Sequence, residues 1–216
     1  MVKQDRAIRT RRAILEAAAA VFDEKGYRAA KLSDILERVN LTKGALYFHF
    51  SGKEALANAV LDAQVSETPV PCAQACKMQE YVDMGLLFAR LLVSDPLLRA
   101  SVRLSLEQVP EINRNSPYEQ WVGRTTRVLT EAKERGEVLL HVDPEETARI
   151  TVGAFSGVNS MVSTMVPRLD LEREVSVLYR HLLAGIVVPS VLMHLDVDPG
   201  RGARVLAEAG LKPASL

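Results

Sequence analysis

Two short helical patterns separated by a tight turn constrain this chain more than any other feature of its sequence. The first covers residues 33–39 and the second residues 42–49. Asn40 lies between them and tolerates the left-handed conformation that turns a chain, and Thr42 has the side chain of a helix N-cap. Two helices joined this closely are typical of a helix-turn-helix.

Helical spacing continues on both sides of this pair, so the predicted fold class is all-α. Upstream, apolar residues repeat on one helical face until Gly26, which suits a left-handed C-cap. Downstream, a fourth helix opens near residue 53, and a proline-bearing break follows at residues 66–71. Beyond the break, long helices are predicted near residues 74–94, 96–107, 117–136, 144–166 and 171–194. A polar loop is predicted over residues 109–117.

This organisation predicts two domains with different charge. Residues 1–53 form a helix-turn-helix three-helix domain, and residues 54–216 form a larger helical domain. The formal net charge of the chain is zero, but residues 1–60 hold 11 basic and 7 acidic side chains. Five of these basic residues stand at the start of the chain: Lys3, Arg6, Arg9, Arg11 and Arg12. A basic first domain on an acidic remainder favours a polyanionic partner.

The segment 41–50, LTKGALYFHF, carries the chemistry of the second short helix. A recognition helix must be slim near its start so that its backbone can approach the major groove, and Gly44 provides that slimness. Lys43 can donate to the O6 and N7 acceptors of guanine, and Thr42 can reach a phosphate or a thymine methyl. These three residues are therefore predicted to read double-stranded DNA.

The remaining side chains of this segment divide between phosphate contacts and the core. We assign Leu46 and Phe50 to the core, and expect Tyr47 and His49, which alternate with buried neighbours, to contact phosphates. This alternation also places Phe48 in the core. Lys53, beside the free amides of the fourth helix, adds a further anion site.

Residues 8–60 resemble the DNA-binding domain of TetR-type transcriptional repressors. The residues that carry the resemblance are 21–27 (VFDEKGY), 33–36 (SDIL), 42–50 (TKGALYFHF) and 53–54 (KE). The resemblance places Thr42, Lys43, Gly44, Tyr47, His49 and Lys53 at the DNA, with Ser33 near the start of the second helix. One departure is Lys31, where the family often has threonine. Lysine has no acceptor to cap a helix, so we expect the second helix to start less firmly, with Lys31 free to reach a phosphate.

The chain also resembles the γ-butyrolactone autoregulator receptors of actinomycetes. The matching segments are residues 3–11, 42–50, 62–64, 102–105 and 188–192, which spread over most of the chain. The resemblance implies a repressor of secondary metabolism that a small diffusible signal releases from a pseudo-palindromic operator. A butenolide, a furan or an antibiotic is the alternative signal.

Candidate ligand-binding residues lie on the apolar helices of the second domain. Trp121 is the single tryptophan of the chain, and from the sequence alone it could either pack in the hydrophobic core or line a ligand-binding pocket. The resemblance implies that it lines the pocket. Gln64 could bond a ligand oxygen, cap a helix or face solvent. The remaining candidates are Met84, Phe88, Thr125 and Phe155. Gly153 and Gly157 leave room for a ligand or for a close helix crossing, and we favour the crossing for at least one of them.

A homodimer is implied by the same resemblance, through the helices near residues 144–166 and 171–194. A two-fold dimer places its two recognition helices about one turn (~34 Å) of DNA apart. Binding of the signal would move the fourth helix, spread the two DNA-binding heads and weaken their hold on DNA.

Other classes fit the sequence poorly. No catalytic motif is present: Ser156 stands fourth, not third, in the Gly153–Gly157 pentapeptide, so it does not match a nucleophile elbow. We therefore expect no enzyme, no metal site and no cofactor.

The cytoplasm is the favoured location, because the chain has two cysteines and a polar, basic start without an apolar signal core. The apolar stretch 182–195 is too short for a membrane span. A helical interaction module without DNA binding is the remaining alternative.

Overall fold

The computed structural model describes residues 2–66, 68–107, 109–113, 116–165 and 169–210, with the side chains of residues 2–4 and 116 left aside. The helices are α1 (Val2–Ala29), α2 (Leu32–Val39), α3 (Lys43–His49), α4 (Lys53–Ser66), α5 (Lys77–Ser94), α6 (Pro96–Leu106), α7 (Ser116–Glu134), α8 (Pro144–Thr164), α9 (Leu171–Leu183), α10 (Pro189–Leu192) and α11 (Arg201–Glu208). The predicted all-α class is confirmed. Val138 and Val187 form an isolated antiparallel bridge.

Contacts between Cα atoms divide the chain into two compact units. The first unit is Met1–Thr68 with Asp95–Pro117, and the second is Pro69–Ser94 with Tyr118–Leu216. In the first unit, α1 packs on α6, α4 and α2, and α4 packs on α6. In the second, α5 packs on α9 and α11, and α8 packs on α9. The predicted domain boundary after residue 53 separates the DNA-binding residues from the rest of the chain. It is a boundary of function, not of packing, and it stays a prediction.

The turns around the helix-turn-helix form as the residue types predict. Asn40 is left-handed at φ 51° and ψ 48°, and the Thr42 hydroxyl accepts a hydrogen bond from the Ala45 N–H at 3.3 Å. Gly26 interrupts α1 with φ 74°, a backbone angle that only glycine adopts without strain. These local signals therefore fix the lengths of α1, α2 and α3.

The expected weak start of α2 stays a prediction. Lys31 supplies no side-chain cap, but its backbone N–H donates to the Asp34 carboxylate at 3.2 Å. Lys25 forms an ion pair with the same carboxylate oxygen at 2.8 Å, and these contacts hold the pKa of Asp34 below its usual value. Asp34 thus satisfies the N–H of the cap residue from inside the helix, and the Asp34 N–H bonds the Lys31 carbonyl at 3.1 Å.

The second unit corrects the last predicted helix. The predicted span 171–194 is interrupted after α9, since Pro189 lacks an N–H and cannot continue the ladder. Residues 186–188 are instead extended beside residues 137–139: the Leu139 N–H donates to the Ile186 carbonyl at 2.9 Å. The other long helices end within a few residues of their predicted bounds, and residue 166 lies outside the described ranges. The predicted loop at 109–117 is not simply polar, since Val109 and Ile112 are buried in the first unit.

Candidate DNA-binding surface and ligand-binding cluster

Helix α3 is anchored to the core of the first unit by one side only. Leu46 is fully buried and Phe50, just after the helix, is nearly so. Thr42, Lys43 and Gly44 are all exposed at the opposite, N-terminal end. The helix therefore offers to solvent the residues that were predicted to read DNA, while the core fixes its position.

Gly44 is not required by the packing of the chain. A Cβ atom built at this position would meet nothing within 4 Å, and its backbone is ordinary helix. Glycine costs about 0.5–1 kcal/mol in a helix relative to alanine. A residue that weakens its own helix without relieving any internal crowding suits a surface that something else must approach closely.

The aromatic residues of α3 differ from the prediction at one position. Tyr47 is 46% exposed, as a phosphate contact requires, but Phe48, assigned to the core, is 80% exposed. The assignment is wrong because α3 turns by about 100° per residue, so a buried Leu46 carries its next two neighbours outward. Phe48 packs edge-to-face on His49, with ring centroids 5.0 Å apart. Sequence reasoning therefore missed Phe48 as a surface residue next to the candidate DNA contacts.

Lys53 and Ser33 flank α3 in different ways. Ser33 is exposed on α2. The Lys53 ammonium lies 4.4 Å from the centre of the Tyr27 ring and donates to the Arg28 carbonyl at 3.4 Å. Burial lowers the pKa of Lys53, and the carboxylates of Glu107 and Glu111 act against this. Lys53 therefore bonds within the first unit; its role at DNA stays a prediction.

Helix α6 braces the end of α1 that leads into this surface. The Glu107 carboxylate accepts from the Tyr27 N–H at 3.0 and 3.1 Å, just after the break at Gly26. Arg99 forms an ion pair with Asp23 at 3.2 Å. The bend between α1 and α2 is thus held by a helix from a distant part of the sequence.

In the second unit, three of the predicted ligand-binding residues form one aromatic cluster. Phe88 on α5 lies 4.8 Å from Trp121 on α7 and 5.4 Å from Phe155 on α8, measured between ring centroids. Met84 lies one turn before Phe88 and is 7% exposed; Thr125 lies one turn after Trp121 and is 4% exposed. All five candidates of this unit are thus on three helices. Their role toward a ligand stays a prediction.

The cluster contains a polar group that the protein leaves unsatisfied. Trp121 is 8% exposed, and its indole Nε1 is buried with no hydrogen-bond partner in the described part of the chain. A buried donor without an acceptor costs about 1–3 kcal/mol. The cluster is therefore not a finished apolar core.

Gln64 differs from these residues because its side-chain oxygen already accepts a hydrogen bond. It lies in the first unit and is 7% exposed. Its side-chain oxygen accepts from the Ser101 hydroxyl at 2.8 Å, and its carbonyl accepts from Thr68. The predicted contact of Gln64 with a ligand stays a prediction.

Helix α8 carries an exposed stripe of small and apolar residues. Ile150, Gly153, Gly157 and Met161 share one helical face, with Ile150 64% and Met161 39% exposed. A Cβ atom at either glycine would meet nothing within 4 Å, so no helix in the described residues crosses α8 there. A close helix crossing, if these glycines serve one, must therefore involve a second molecule. In the ranges described, no helix is both long and apolar enough to span a membrane.

Two family models match the chain. Residues 14–60 match the model for bacterial regulatory proteins of the tetR family, and residues 77–189 match a tetracyclin repressor-like C-terminal domain. The A-factor receptor protein of Streptomyces griseus is 41% identical over 212 residues, which cover 96% of this chain and 76% of that protein.

Solved structures agree in fold over nearly the whole chain. Native full-length TylP, a TetR regulator from Streptomyces fradiae, aligns with a TM-score of 0.88 and 41% identity, covering 94% of this chain and 99% of TylP. An ArpA-like γ-butyrolactone receptor aligns with a TM-score of 0.71 and 28% identity, covering 94% of this chain and 98% of that receptor.

Proposed function

We propose, from the premise that this chain belongs to the TetR family of bacterial regulatory proteins, that it is a DNA-binding repressor released by a small signal. The observation that carries the proposal is the exposed start of α3, where Thr42, Lys43 and the uncrowded Gly44 face solvent. The partner is a double-stranded, pseudo-palindromic operator. The work of the protein is binding, and we assign it no catalytic step.

Sequence readout and phosphate binding fall to different residues of α3. Lys43 donates to guanine acceptors, and Thr42 contacts a phosphate or a thymine methyl. Tyr47 and His49 contact the DNA backbone and fix the register of the helix, as does the exposed Ser33. Phe48, exposed beside them, offers an apolar surface to sugars and thymine methyls.

A homodimer supplies the second half of the operator contact. The exposed stripe of α8 supports this assembly, because two such faces can approach closely over Gly153 and Gly157. A two-fold dimer repeats the α3 surface on the next turn of DNA, which is why the operator is pseudo-palindromic.

The signal is of the γ-butyrolactone class and binds at the aromatic cluster of Phe88, Trp121 and Phe155. The aromatic faces suit an alkyl chain, and the free indole N–H suits a ligand oxygen. The names of the A-factor receptor and of the ArpA-like γ-butyrolactone receptor support this class. Release follows from linkage: the signal binds a state that holds DNA weakly, and DNA binds the other state.

The deciding experiment is a gel shift on the DNA upstream of the protein's own gene, with and without extract of a producing culture. We expect a retarded band that the extract abolishes and that weakens steeply as salt rises. A band that no extract affects would support DNA binding by the repressor and contradict its release by the proposed signal. A butenolide, furan or antibiotic in the active fraction would correct the ligand class, and no band on any genomic fragment at low salt would overturn the function.

Trp121→Ala tests the ligand site in the same assay. The variant should bind the operator like the wild type and need at least about tenfold more signal for release, since both an apolar face and a donor are lost. Circular dichroism provides the control for folding. An unfolded variant would instead show that Trp121 serves the core.

A further inference from the structure

A second hydrogen-bond donor without a partner in the described part of the chain lies close to Trp121 on α7. Arg124, one turn later, has a buried Nη1 atom that, like the indole Nε1, finds no acceptor among the described residues. The guanidinium carbon of Arg124 lies 5.2 Å from the centre of the Trp121 ring, so the two side chains are in contact. Two unpaired donors thus lie on side chains in contact with each other, and one of these side chains, Trp121, also packs against Phe88.

The charge of Arg124 is also uncompensated. Burial lowers the pKa of its guanidinium, and the nearby cation Arg127 lowers it further. No carboxylate in the described ranges acts on it as an ion-pair partner. The contrast is Arg201, whose guanidinium grips the buried Asp83 through two hydrogen bonds of 2.9 and 2.7 Å. Arg124 is only partly buried, but its Nη1 atom is fully buried, and a buried cationic donor without an anion or a strong acceptor is costly.

We infer that Trp121 Nε1 and Arg124 Nη1 together bind an acyl oxygen of the signal, and that Arg124 is a specificity-determining residue of the ligand site. This inference rests on the proposed function. The chemistry is that of a carbonyl or carboxylate oxygen, which accepts two hydrogen bonds at once. Such an oxygen belongs either to a closed lactone or to the hydroxy acid formed when its ring opens.

The pair should distinguish these two forms by charge. The guanidinium gains more from a carboxylate than the neutral indole N–H does, because only the guanidinium carries a charge opposite to that of the acid. We therefore expect the ring-opened acid to bind more tightly than the closed lactone. Arg124→Met should remove this preference and leave the apolar contacts of Phe88 and Phe155 in place.

Trp121 makes the measurement direct, since the chain has a single tryptophan. We would titrate its fluorescence in the full-length protein with a long-chain γ-alkyl-γ-butyrolactone and, separately, with the γ-hydroxycarboxylate made from it. Arg124→Met should weaken the carboxylate at least about tenfold and the lactone less, and Arg124→Lys should restore part of the carboxylate affinity. Arg127→Met, on the same helix and exposed, is the control and should change neither affinity more than about twofold.

The outcomes separate this inference from the proposed function. Wild-type affinity of Arg124→Met for both probes would overturn the role of Arg124 and leave the repressor and its ligand site standing. An equal loss for both probes would keep Arg124 in the site but refute the preference for charge. If neither probe affects wild-type fluorescence while extract still releases DNA, the proposed lactone class is wrong and the inference fails with it. Operator binding by every variant shows that it is folded.

Discussion

The two compact units differ in how completely their buried polar groups are bonded. In the first unit, Ser101 donates to the Gln64 side chain at 2.8 Å, and Ser105 donates to the Ser101 carbonyl at 3.0 Å. In the second unit lie the buried side-chain atoms that have no partner among the described residues: Arg90 Nε, Trp121 Nε1, Arg124 Nη1 and Thr126 Oγ1. Among the described residues, the first unit leaves no buried side-chain polar atom unpaired, whereas the second leaves these four beside well-bonded groups such as Asp83 and Arg201.

This difference follows from what each unit is proposed to bind. DNA is a large polyanion, and a protein meets it with exposed side chains such as Lys43 and Tyr47, so its interior can be complete beforehand. A small ligand is enclosed, and the groups that recognise it must be buried whether or not it is present. Substitution of a DNA-contacting residue in the first unit should therefore change binding with little change in stability. Substitution of a ligand-contacting residue in the second unit should change binding and stability together.

The largest effect is expected where the second unit buries a charge. Asp83 is fully buried and pairs with Arg201 through two hydrogen bonds. Arg201→Met leaves this carboxylate without its counter-charge, with the Gln79 amide still donating to it at 2.7 Å, and should lower the free energy of unfolding by about 3–5 kcal/mol. Urea unfolding measures this loss. The matched variant Arg38→Met breaks an exposed ion pair with Glu24 in the first unit and should cost less than about 1 kcal/mol.

An additional variant makes the test of that pair stricter. Replacing both partners, Asp83→Leu with Arg201→Met, should recover much of the stability that the single change loses, because no buried charge is left. A double variant as unstable as Arg201→Met alone would contradict the explanation by charge and point to packing.

The next largest effect concerns binding without stability. Gly44→Leu places a side chain where α3 meets the groove and should weaken operator binding on the order of 100-fold, the equivalent of one or two base contacts. Because leucine favours helix over glycine, stability should rise slightly, by about 0.5–1 kcal/mol. Fluorescence anisotropy and thermal unfolding measure the two effects. Gly123→Leu, also helical and uncrowded, is the control and should leave DNA affinity unchanged.

A smaller effect separates phosphate contacts from base contacts on the same helix. Tyr47→Phe removes one hydroxyl and should weaken operator and non-operator DNA alike, each by about tenfold, since a phosphate carries no sequence information. Anisotropy titrations with the two DNAs at equal salt test this. Weakening of the operator alone would assign Tyr47 to base readout.

The smallest effect is a loss of stability at high pH in the second unit. Burial raises the pKa values of Tyr81 and Tyr179 above their ordinary value of 10.0. Only the unfolded chain ionises these groups near that value, so their contribution is complete below it and declines as the pH rises past it. Urea unfolding at about pH 9 and about pH 11 should show the decline. Tyr179→Phe should reduce it, because one of the two buried hydroxyls is then absent.

Local features of the sequence predicted the helix-turn-helix well, because Asn40 and Thr42 act on their own neighbours. Features that depend on distant residues were missed. The pairing of residues 186–188 with residues 137–139 joins segments that lie almost fifty residues apart, and Glu107 bonds the Tyr27 N–H from eighty residues away. The orphan donors of Trp121 and Arg124 were equally hidden, since an unsatisfied group is defined by what surrounds it in space.

The division of the first unit along the chain has a consequence for synthesis and for engineering. Its core needs Leu97, Ala100 and Leu104 of α6 against α1 and α4, and these residues leave the ribosome after the whole of α5. The core of the amino-terminal helices therefore closes only after about half of the polypeptide has been synthesised. A fusion protein that borrows the DNA-binding unit of this chain would need residues 95–117 as well as residues 1–68. Without residues 95–117, the apolar faces of α1 and α4 that pack on α6 would be exposed to solvent.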